Sequence, residues 1–344
     1  MLVTSNHLLK AFIKHITEYY PQQKISNNDF FKKFPELKAK EGTLLKVGVS
    51  NRHIVNEDTT ASDLSFFAAN KLFEEINFDR NDIDALIFCS TEFDHYTPTT
   101  SAILQHRLNL STNIAAIDIV SSCTGFIHSL SLAKGMIEAN DNKNVLLLCV
   151  STLTKTFHEK DANSHFLFGD AATAILISNR KENGIGKIVL GTDGSKNDYI
   201  IVKDGGARNK LTDKSYNMVT NEYGNTTCNA NFYMNGTGVF LFGLKTVPKL
   251  ITDILIKNNT TFEEIDFFVF HQANEFLLKT LQKKLGIPNE KFIIHMEKTG
   301  NTVAATIPIV LNSLMKKKKL IKGNKILIAA FGTGLTWGGT IINY

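Results

Sequence analysis

Cys123 combines a nucleophilic side chain with a position between two patterns of different periodicity. The apolar run over residues 113–120 predicts a strand, and apolar residues at three- and four-residue spacing predict a helix over 123–139. At the N-terminus of a helix, unpaired backbone N–H groups and the helix dipole favour a thiolate over a thiol. The sequence therefore predicts a nucleophilic cysteine at a strand-to-helix turn.

Two polar residues far downstream are expected at similar junctions. His271 follows an apolar run over 266–270, at the carboxyl end of a predicted strand, where α/β sheets usually place ligands. Asn301 precedes a predicted helix over 302–315, so it could serve simply as the cap of that helix. A lone histidine is more often structural than catalytic. A thiolate, an imidazole and an amide at three such junctions nevertheless indicate an assembled nucleophilic site.

A glycine-rich segment, Phe331-Gly-Thr-Gly-Leu-Thr-Trp-Gly-Gly339, follows another predicted strand. It lacks the lysine of a P-loop and the spacing of a dinucleotide fingerprint, which disfavours a phosphate cradle. A turn that presents a backbone N–H to an oxyanion fits the segment better. Together these groups could serve several nucleophilic reactions.

The elements that would position these groups occur twice along the chain. Residues 83–88 resemble 265–270, and residues 144–149 resemble 326–331, with 182 residues between the members of each pair. A Thr-Gly followed by an amphipathic pattern lies within each copy. We interpret this as a duplication. It predicts a half over 1–180 that carries the cysteine, and a half over 181–344 that carries the histidine and the asparagine.

Each half alternates short apolar strands with helices, which predicts an α/β fold of mostly parallel sheets covered by helices. Residues 181–235, rich in Gly, Asn, Asp and Lys, are expected to form a loop-rich excursion that walls a pocket. Pro308 should kink the helix over 302–315 or delay its first regular turn. The remaining predicted helices cover 62–78, 101–108, 236–257 and 273–285, and the predicted strands cover 85–89, 114–120, 144–150, 171–178, 266–270, 292–295, 325–331 and 337–342.

Composition limits the classes of function. Hydrophobic content of 43% and charged content of 21% are ordinary for a soluble globular enzyme. The basic run Lys316 to Lys319 follows an apolar helical stretch, which favours a solvated helix C-terminus over a nucleic-acid site. No apolar run approaches the roughly 20 residues of a membrane span. Residues 1–10 lack a secretory signal pattern, and the four cysteines form no close pair or metal spacing, so we expect a reduced, cytoplasmic protein.

Several motifs, in order and spacing, resemble the β-ketoacyl-acyl-carrier-protein synthase III family. The resemblance covers nearly the whole chain, and motif sets of this length rarely arise by chance. The motifs are Gly48-Val-Ser-Asn-Arg52-His53-Ile54, Ser122-Cys123-Thr124-Gly125-Phe126, Phe168-Gly169-Asp170-Ala171, His271-Gln272-Ala273-Asn274, Gly300-Asn301-Thr302 and Gly334-Leu-Thr-Trp337-Gly338.

The resemblance implies a thiolase fold, in which two fused α/β halves form five layers (αβαβα), and a homodimer. Cys123 matches the nucleophile that takes an acyl group from a thioester, and His271 and Asn301 match the pair that binds the malonyl thioester carbonyl during decarboxylation. The developing enolate needs neutral, pre-placed donors rather than a carboxylate. Backbone N–H groups of Cys123 and Thr333 would form the oxyanion hole. No bound cofactor is implied, since the thioesters are carried on CoA or on the phosphopantetheine of an acyl-carrier protein.

Positions that would bind substrate depart from the family pattern. Gly42 and Ala162 stand near the tryptophan and arginine that hold the CoA adenine in housekeeping members, Lys46 is another basic position, and Phe276 replaces an arginine. These changes predict a lower affinity for CoA. Phe168, from its motif, is a further substrate-binding position.

Two other features bear on the primer and on its carrier. Thr97 aligns with a residue that reaches across the dimer and limits primer length. Its small side chain predicts a primer that is longer than acetyl, branched or functionalised, and delivered by a carrier protein. Lys283 and Lys284 match basic positions associated with docking of the carrier protein, although exposed lysine pairs are often only solvated.

The leading interpretation is therefore a 3-oxoacyl synthase that condenses an acyl primer with malonyl-carrier protein through acyl-Cys123. One alternative keeps the acyl-Cys123 intermediate and passes the acyl group to an alcohol or amine, with His271 as general base. Another is a non-catalytic subunit of a heterodimer. A cysteine protease is disfavoured, because the papain-type motif around the cysteine is absent.

Overall fold

The computed structural model describes residues 9–139, 142–182, 184–221 and 224–344. Most of the segment 1–10, where no signal pattern was expected, lies outside the described residues. The strands are β1 Lys10–Tyr19, β2 Gln23–Ser26, β3 Asn51–Ile54, β4 Ala85–Cys89, β5 Ala115–Ile119, β6 Asn144–Ser151, β7 Ala171–Arg180, β8 Val189–Thr192, β9 Ile200–Val202, β10 Val219–Thr220, β11 Thr226–Thr227, β12 Phe232–Met234, β13 Phe267–Phe270, β14 Lys325–Gly332 and β15 Thr336–Asn343. The α-helices are α1 Asn27–Lys33, α2 Glu41–Leu44, α3 Ala61–Ile76, α4 Thr100–Arg107, α5 Gly125–Glu138, α6 Ala162–Leu167, α7 Gly236–Lys257, α8 Glu275–Leu285 and α9 Thr306–Lys316.

Two mixed sheets with the same internal order form the framework, so the prediction of mostly parallel sheets is wrong: the last strands of each sheet pair antiparallel. The first has the strand order β1-β7-β6-β4-β5, and the second has the order β8-β15-β14-β13. In each sheet a parallel pair, β4 with β6 or β13 with β14, is followed by two antiparallel pairings. The repeated order is what a duplicated chain would give. We keep the boundary between the halves at residue 180 as a proposal.

Five layers follow from the way successive strand residues alternate between the two faces of a sheet. On β6, Val145 and Leu147 face a core shared with α5 and α9, whereas Leu146 and Leu148 face α3 and α4. On the second sheet, Ile326 faces the same central core, and its other face packs against α7 and α8. The order α3/α4, sheet, α5/α9, sheet, α7/α8 confirms the predicted αβαβα arrangement.

Most predicted elements agree with the structure within two residues, and α7 agrees at both ends. The strand predicted over 292–295 is wrong, because this segment makes only an isolated parallel bridge between Phe292 and Phe268. The strand β1 was not predicted, although it pairs along its length with β7. The helix predicted over 302–315 starts with a 3-10 turn at Val303–Ala305 and becomes α-helical at Thr306, so its first regular turn is delayed as expected near Pro308.

Candidate active site

Cys123 lies in the turn between β5 and α5, two residues before the helix begins. The turn is closed by a hydrogen bond from the Gly125 N–H to the Ser122 carbonyl, with 2.7 Å between the atoms. Gly332 approaches the nucleophile from the other half, since a Cβ at that position would lie 2.6 Å from Cys123 Cβ and 2.7 Å from its Sγ. A larger residue at 332 would therefore occupy the space of the sulfur.

The surroundings of the sulfur favour the thiolate. Burial alone would raise the pKa of Cys123, but the charge and hydrogen bond of His271 lower it, with help from the Ser122 hydroxyl and the Thr333 backbone N–H. The balance brings the pKa from 9.0 down to about 7. The sequence had predicted this direction from the helix N-terminus, whereas the structure assigns much of the effect to the histidine.

His271 is buried immediately after β13, and its backbone N–H donates to the Ala329 carbonyl of β14. Its ring Nδ1 lies 2.8 Å from the Thr306 hydroxyl at the start of α9. The Phe331 ring presents an edge-to-face contact at a centroid distance of 6.3 Å. With Nδ1 occupied, Nε2 is the ring nitrogen left for Cys123 and for a substrate.

Asn301 is held through both its backbone and its side chain. Its backbone N–H donates to the Leu167 carbonyl, and its backbone carbonyl accepts from the Gly169 N–H. These two bonds form an isolated parallel β-bridge between Asn301 and Phe168. Its Oδ1 accepts from the Val303 N–H at 2.9 Å, at the first residue of the following 3-10 turn, whose cap position is Thr302. This contact orients Nδ2, which makes one bond of 3.3 Å to the Ala273 carbonyl and has a second N–H to offer. Asn301 therefore stands one residue before the cap position that the sequence suggested for it, and its contact with the turn is compatible with a binding role.

A chain of hydroxyl groups links the nucleophile turn to the glycine-rich turn between β14 and β15. The Thr336 hydroxyl donates to the Thr333 carbonyl at 2.7 Å. Because the Thr336 hydroxyl uses its only hydrogen in that bond, it must accept a hydrogen bond from the Thr124 hydroxyl, which lies 2.7 Å away. Thr124, the residue after Cys123, is thus connected through Thr336 to Thr333, whose backbone N–H lies close to the sulfur.

A cavity of about 70 Å³ opens onto the sulfur. Five of the predicted site residues line it: Cys123, Phe168, His271, Asn301 and Thr333. The excursion predicted over 181–235 contributes Ile200, Phe232 and Met234, so the prediction that it walls a pocket is confirmed. Sequence reasoning missed Val239 and Phe240 of α7 as lining residues, because their apolar spacing is equally typical of a packed helix face.

The other predicted substrate-binding residues do not line this cavity. Thr97 and Lys46 are exposed, and so are Lys283 and Lys284 near the end of α8. Phe276 is 54% exposed and stacks on Phe240, with 5.6 Å between the ring centroids and 15° between the planes. Phe276 therefore stands at the rim of the cavity and extends its apolar wall.

A second groove, of about 340 Å³, continues outward from the cavity and shares Phe232, Met234, Gly236 and Asn274 with it. Its lining combines apolar side chains with the polar ones of Asn163, Ser164, Asn225 and Thr227, and it includes Asp161, which accepts a hydrogen bond from the Asn225 amide. In the part of the chain that the structure describes, no group of three or more His, Cys, Asp or Glu residues could hold a metal ion. Within the same residues, no helix has the length and apolarity needed to cross a membrane.

Two fused α/β halves in five layers, with a cysteine, a histidine and an asparagine meeting between them, define an enzyme of the thiolase fold. Among solved structures, a 3-oxoacyl-(acyl-carrier-protein) synthase III superposes with a TM-score of 0.94 at 35% identity, covering 97% of this chain and 100% of its own. The corresponding enzyme from Thermus thermophilus gives 0.84 at 27% identity, covering 97% and 99%.

Sequence comparisons agree with the structural ones. Residues 255–344 match the family 3-oxoacyl-(acyl-carrier-protein) synthase III C terminal, and residues 117–194 match 3-oxoacyl-(acyl-carrier-protein) synthase III. The β-ketoacyl-acyl-carrier-protein synthase III of Campylobacter jejuni subsp. doylei is 34% identical over 339 residues, covering 98% of both chains. That of Clostridium perfringens is 34% identical over 324 residues, covering 94% of this chain and 96% of its own. The chain belongs to the β-ketoacyl-acyl-carrier-protein synthase III family.

Proposed function

We propose that this enzyme condenses an acyl primer with a malonyl unit on acyl-carrier protein, with loss of carbon dioxide, through an acyl-Cys123 intermediate. The reaction is that of the family to which the chain belongs. The observation that carries the assignment of residues is the meeting of Cys123, His271 and Asn301 at one cavity. It is an acyltransferase of the condensing type.

In the first half-reaction, the Cys123 thiolate attacks the thioester carbonyl of the primer. A carbon–sulfur bond forms to Cys123, and the donor departs as a thiol. The backbone N–H groups of Cys123 and Thr333 are proposed to stabilise the oxyanion of the tetrahedral intermediate. The approach of the Thr333 N–H to the sulfur supports this role.

In the second half-reaction, malonyl decarboxylation leaves an enolate that attacks the acyl carbon. We assign the enolate oxygen to donors from His271 Nε2 and Asn301 Nδ2. The Val303 contact, which fixes the asparagine amide with its oxygen turned away, supports this assignment. Pre-placed donors of this kind usually contribute a large share of catalysis.

The phosphopantetheine arm of the substrate is proposed to lie in the outer groove. That arm carries two amides and a hydroxyl, and the neutral polar lining formed by Asn163, Ser164 and Asn225 matches them. Gly42 is exposed with open space where a side chain would stand, and Lys46 is exposed nearby. Because no aromatic residue stands at position 42, we propose a carrier-protein donor rather than acyl-CoA.

We propose a primer longer than acetyl. Thr97 is exposed on the single chain, so it could limit the primer only from a second copy. Among the described residues, no strand pairs with the outer edge of β5, and Val120 just beyond it is 68% exposed. These features support a homodimer formed at this edge, with Thr97 of each copy close to the other's site. Each further buried methylene would contribute about 0.8 kcal/mol to primer binding.

Carrier-protein docking is assigned to the exposed face around Lys283 and Lys284. The Lys284 ammonium donates to the Leu244 carbonyl of α7 at 2.9 Å, whereas the Lys283 ammonium makes no hydrogen bond or ion pair with the described residues. No resident cofactor is proposed, since the thiolate and the amide donors supply the chemistry. A cytoplasmic location is proposed because the four cysteines are free.

The test is intact-mass analysis of the enzyme after incubation with acyl-CoA and acyl-carrier-protein donors of graded length, followed by malonyl-carrier protein. We expect an acyl adduct on the wild type and none on Cys123→Ala, cleared by malonyl-carrier protein with release of a 3-oxoacyl product. Preference for acetyl-CoA over every longer donor would overturn the primer assignment. Light scattering on the same sample gives the oligomeric state.

An adduct that malonyl-carrier protein leaves in place would instead indicate transfer to an alcohol or amine. Absence of any adduct would indicate a non-catalytic subunit. The curated relatives bear the name of the synthase, which is why neither alternative is preferred.

A further inference from the structure

His271 has two tasks in the proposed reaction, and they need different states of Nε2. To accept the thiol proton of Cys123, Nε2 must present a lone pair. To stabilise the malonyl enolate, Nε2 must present an N–H. What decides between these states is the hydrogen bond at the other ring nitrogen.

The partner of Nδ1 is the Thr306 hydroxyl, and the number of its hydrogens decides whether it donates to the ring or accepts from it. A hydroxyl has one hydrogen to donate. The Thr306 hydroxyl donates it to the Val303 carbonyl at 2.9 Å, which leaves the oxygen as an acceptor toward His271. The distance of 2.8 Å between Nδ1 and this oxygen is then an N–H donated by the histidine. Both residues are buried, so water cannot readily take either place.

We infer that the Thr306 hydroxyl is a positioning group that keeps a proton on Nδ1 of His271, so that His271 donates to the enolate only as an imidazolium. The inference rests on the proposed function and deepens it. A neutral ring with a proton on Nδ1 has none on Nε2. Asn301 is therefore the neutral donor expected from the sequence, whereas His271 is a cationic one.

Charge is conserved over the cycle under this arrangement. The cycle starts from a Cys123 thiolate beside the His271 imidazolium. In acyl transfer, the sulfur–carbon bond forms, the donor carbon–sulfur bond breaks, and the departing thiolate takes a proton from solvent. The malonyl carboxylate then brings the negative charge that the acylated cysteine has lost. The imidazolium needs such a counter-charge because a buried cation without one is costly.

Condensation then needs no proton transfer. The bond to carbon dioxide breaks and its electron pair passes to the enolate, whose oxygen faces the imidazolium. The enolate carbon forms the new carbon–carbon bond while the Cys123 carbon–sulfur bond breaks. The thiolate reappears beside the same imidazolium, which restores the starting pair.

The groups around the ring are few. Cys123 faces it from the nucleophile turn, Thr306 from α9, Asn301 from the loop before α9, and Phe331 from β14. Of these four groups, only Cys123 titrates. Once Cys123 is acylated, none of the four groups brings a charge to the ring.

Two substitutions separate the hydroxyl from the shape of Thr306. Thr306→Ser keeps the hydroxyl, and Thr306→Val keeps the shape. Thr302→Val is the matched control, since the Thr302 hydroxyl is equally buried and has no hydrogen-bond partner in the described part of the chain. If Thr306 only fills space, Thr306→Val should retain the activity of the wild type. If its hydroxyl acts as proposed, Thr306→Ser should retain that activity and Thr306→Val should lose it.

The measurement is the rate of carbon dioxide release from isolated acyl-enzyme and malonyl-carrier protein in a single turnover. Thr306→Val should be about tenfold or more slower, the effect of losing a hydrogen bond to a charged group. Thr306→Ser and Thr302→Val should follow the wild type.

The nitrogen chemical shifts of ¹⁵N-histidine, assigned by loss of the His271 signal in His271→Asn, give a direct reading. A protonated Nδ1 in the free enzyme supports the inference, and an unprotonated Nδ1 overturns it. A Thr306→Val enzyme that matches the wild type overturns it while the proposed function stands. A wild type that forms no acyl adduct overturns the proposed function, and this inference with it.

Discussion

At the scale of single residues, the proposed chemistry depends on the ionisation of the Cys123 sulfur. Burial raises its pKa, and His271, Ser122 and the Thr333 N–H together outweigh burial. The consequence is that a large part of the enzyme population carries a thiolate near neutral pH. The same residue in an ordinary environment would be largely protonated.

We expect alkylation of Cys123 by iodoacetamide to rise with pH around a midpoint of about 7, because the thiolate is the reactive form. His271→Asn should move the midpoint upward, since the largest lowering effect on the pKa is removed. Peptide mapping at each pH gives the rate at Cys123 alone. A midpoint unchanged by His271→Asn would contradict the assignment of the effect to the histidine.

A second residue-scale prediction concerns Gly332. We expect Gly332→Ala to abolish detectable acylation of Cys123 while the protein remains folded, because the added Cβ would lie 2.6 Å from Cys123 Cβ. The matched control is Gly135→Ala, at an exposed position of α5 where an added Cβ meets nothing within 4 Å. Intact mass and circular dichroism check the two claims, and an active Gly332→Ala enzyme would refute the first.

Position in the sequence was enough to bring Cys123, His271 and Asn301 to one cavity, since each follows a recognisable strand or precedes a recognisable helix. The neighbouring hydroxyls could not be predicted in the same way. Thr306 contacts a residue 35 positions away, and Thr336 contacts one 212 positions away. Threonine carries no signal of such a role, because a hydroxyl acquires it only from the groups that the fold places around it.

At the scale of elements, two turns from different halves must keep a constant separation. The nucleophile turn precedes α5, and the glycine-rich turn joins β14 to β15. The hydroxyl chain from Thr124 through Thr336 to the Thr333 carbonyl ties them together. The two N–H groups assigned to the oxyanion hole therefore belong to turns that are directly connected.

We expect Thr336→Val to lower the rate of acyl transfer to Cys123 roughly tenfold, because loss of two hydrogen bonds frees the Thr333 turn to shift. Thr220→Val is the control, since it removes one member of a comparable hydroxyl pair, Thr220 and Thr226, in the excursion. Stopped-flow acylation measures both. If Cys123 of the Thr336→Val enzyme is acylated at the wild-type rate, the hydroxyl chain through Thr336 does not position the oxyanion hole.

The errors among the predicted elements have physical causes. The residues of β1 mix Lys, His and Glu with apolar positions, so only pairing with β7 reveals the strand. Residues 292–295 have a strand composition, but only Phe292 bridges to the sheet. Strand formation depends on finding a neighbour, and sequence patterns describe only one of the two partners.

At the scale of the whole molecule, a buried carboxyl group joins several segments. Asp170 accepts hydrogen bonds from the Val55 N–H and from both the N–H and the hydroxyl of Thr154. Burial nevertheless raises its pKa from 3.8 to about 7, with the nearby Glu92 adding to the effect. The folded chain therefore holds a proton that the unfolded chain releases between about pH 4 and pH 7.

The contribution of Asp170 to the free energy of unfolding should thus fall as the pH rises through that window and stay constant above it. We expect Asp170→Asn to remove this part of the pH dependence, so that the difference in stability between wild type and variant changes between pH 5 and pH 7.5. The exposed Asp58→Asn is the control. Urea unfolding at the two pH values gives the differences, and a constant difference for Asp170→Asn would contradict the shift.

The division of the site between the two halves has a consequence for the synthesis of the protein. A ribosome completes Cys123 well before it reaches His271, Thr306 or Gly332. Until those residues emerge and dock, the sulfur lacks the partners that lower its pKa and remains an ordinary thiol. We therefore expect the Cys123 sulfur of the nascent chain to react more slowly with thioesters and oxidants than the sulfur of the folded enzyme.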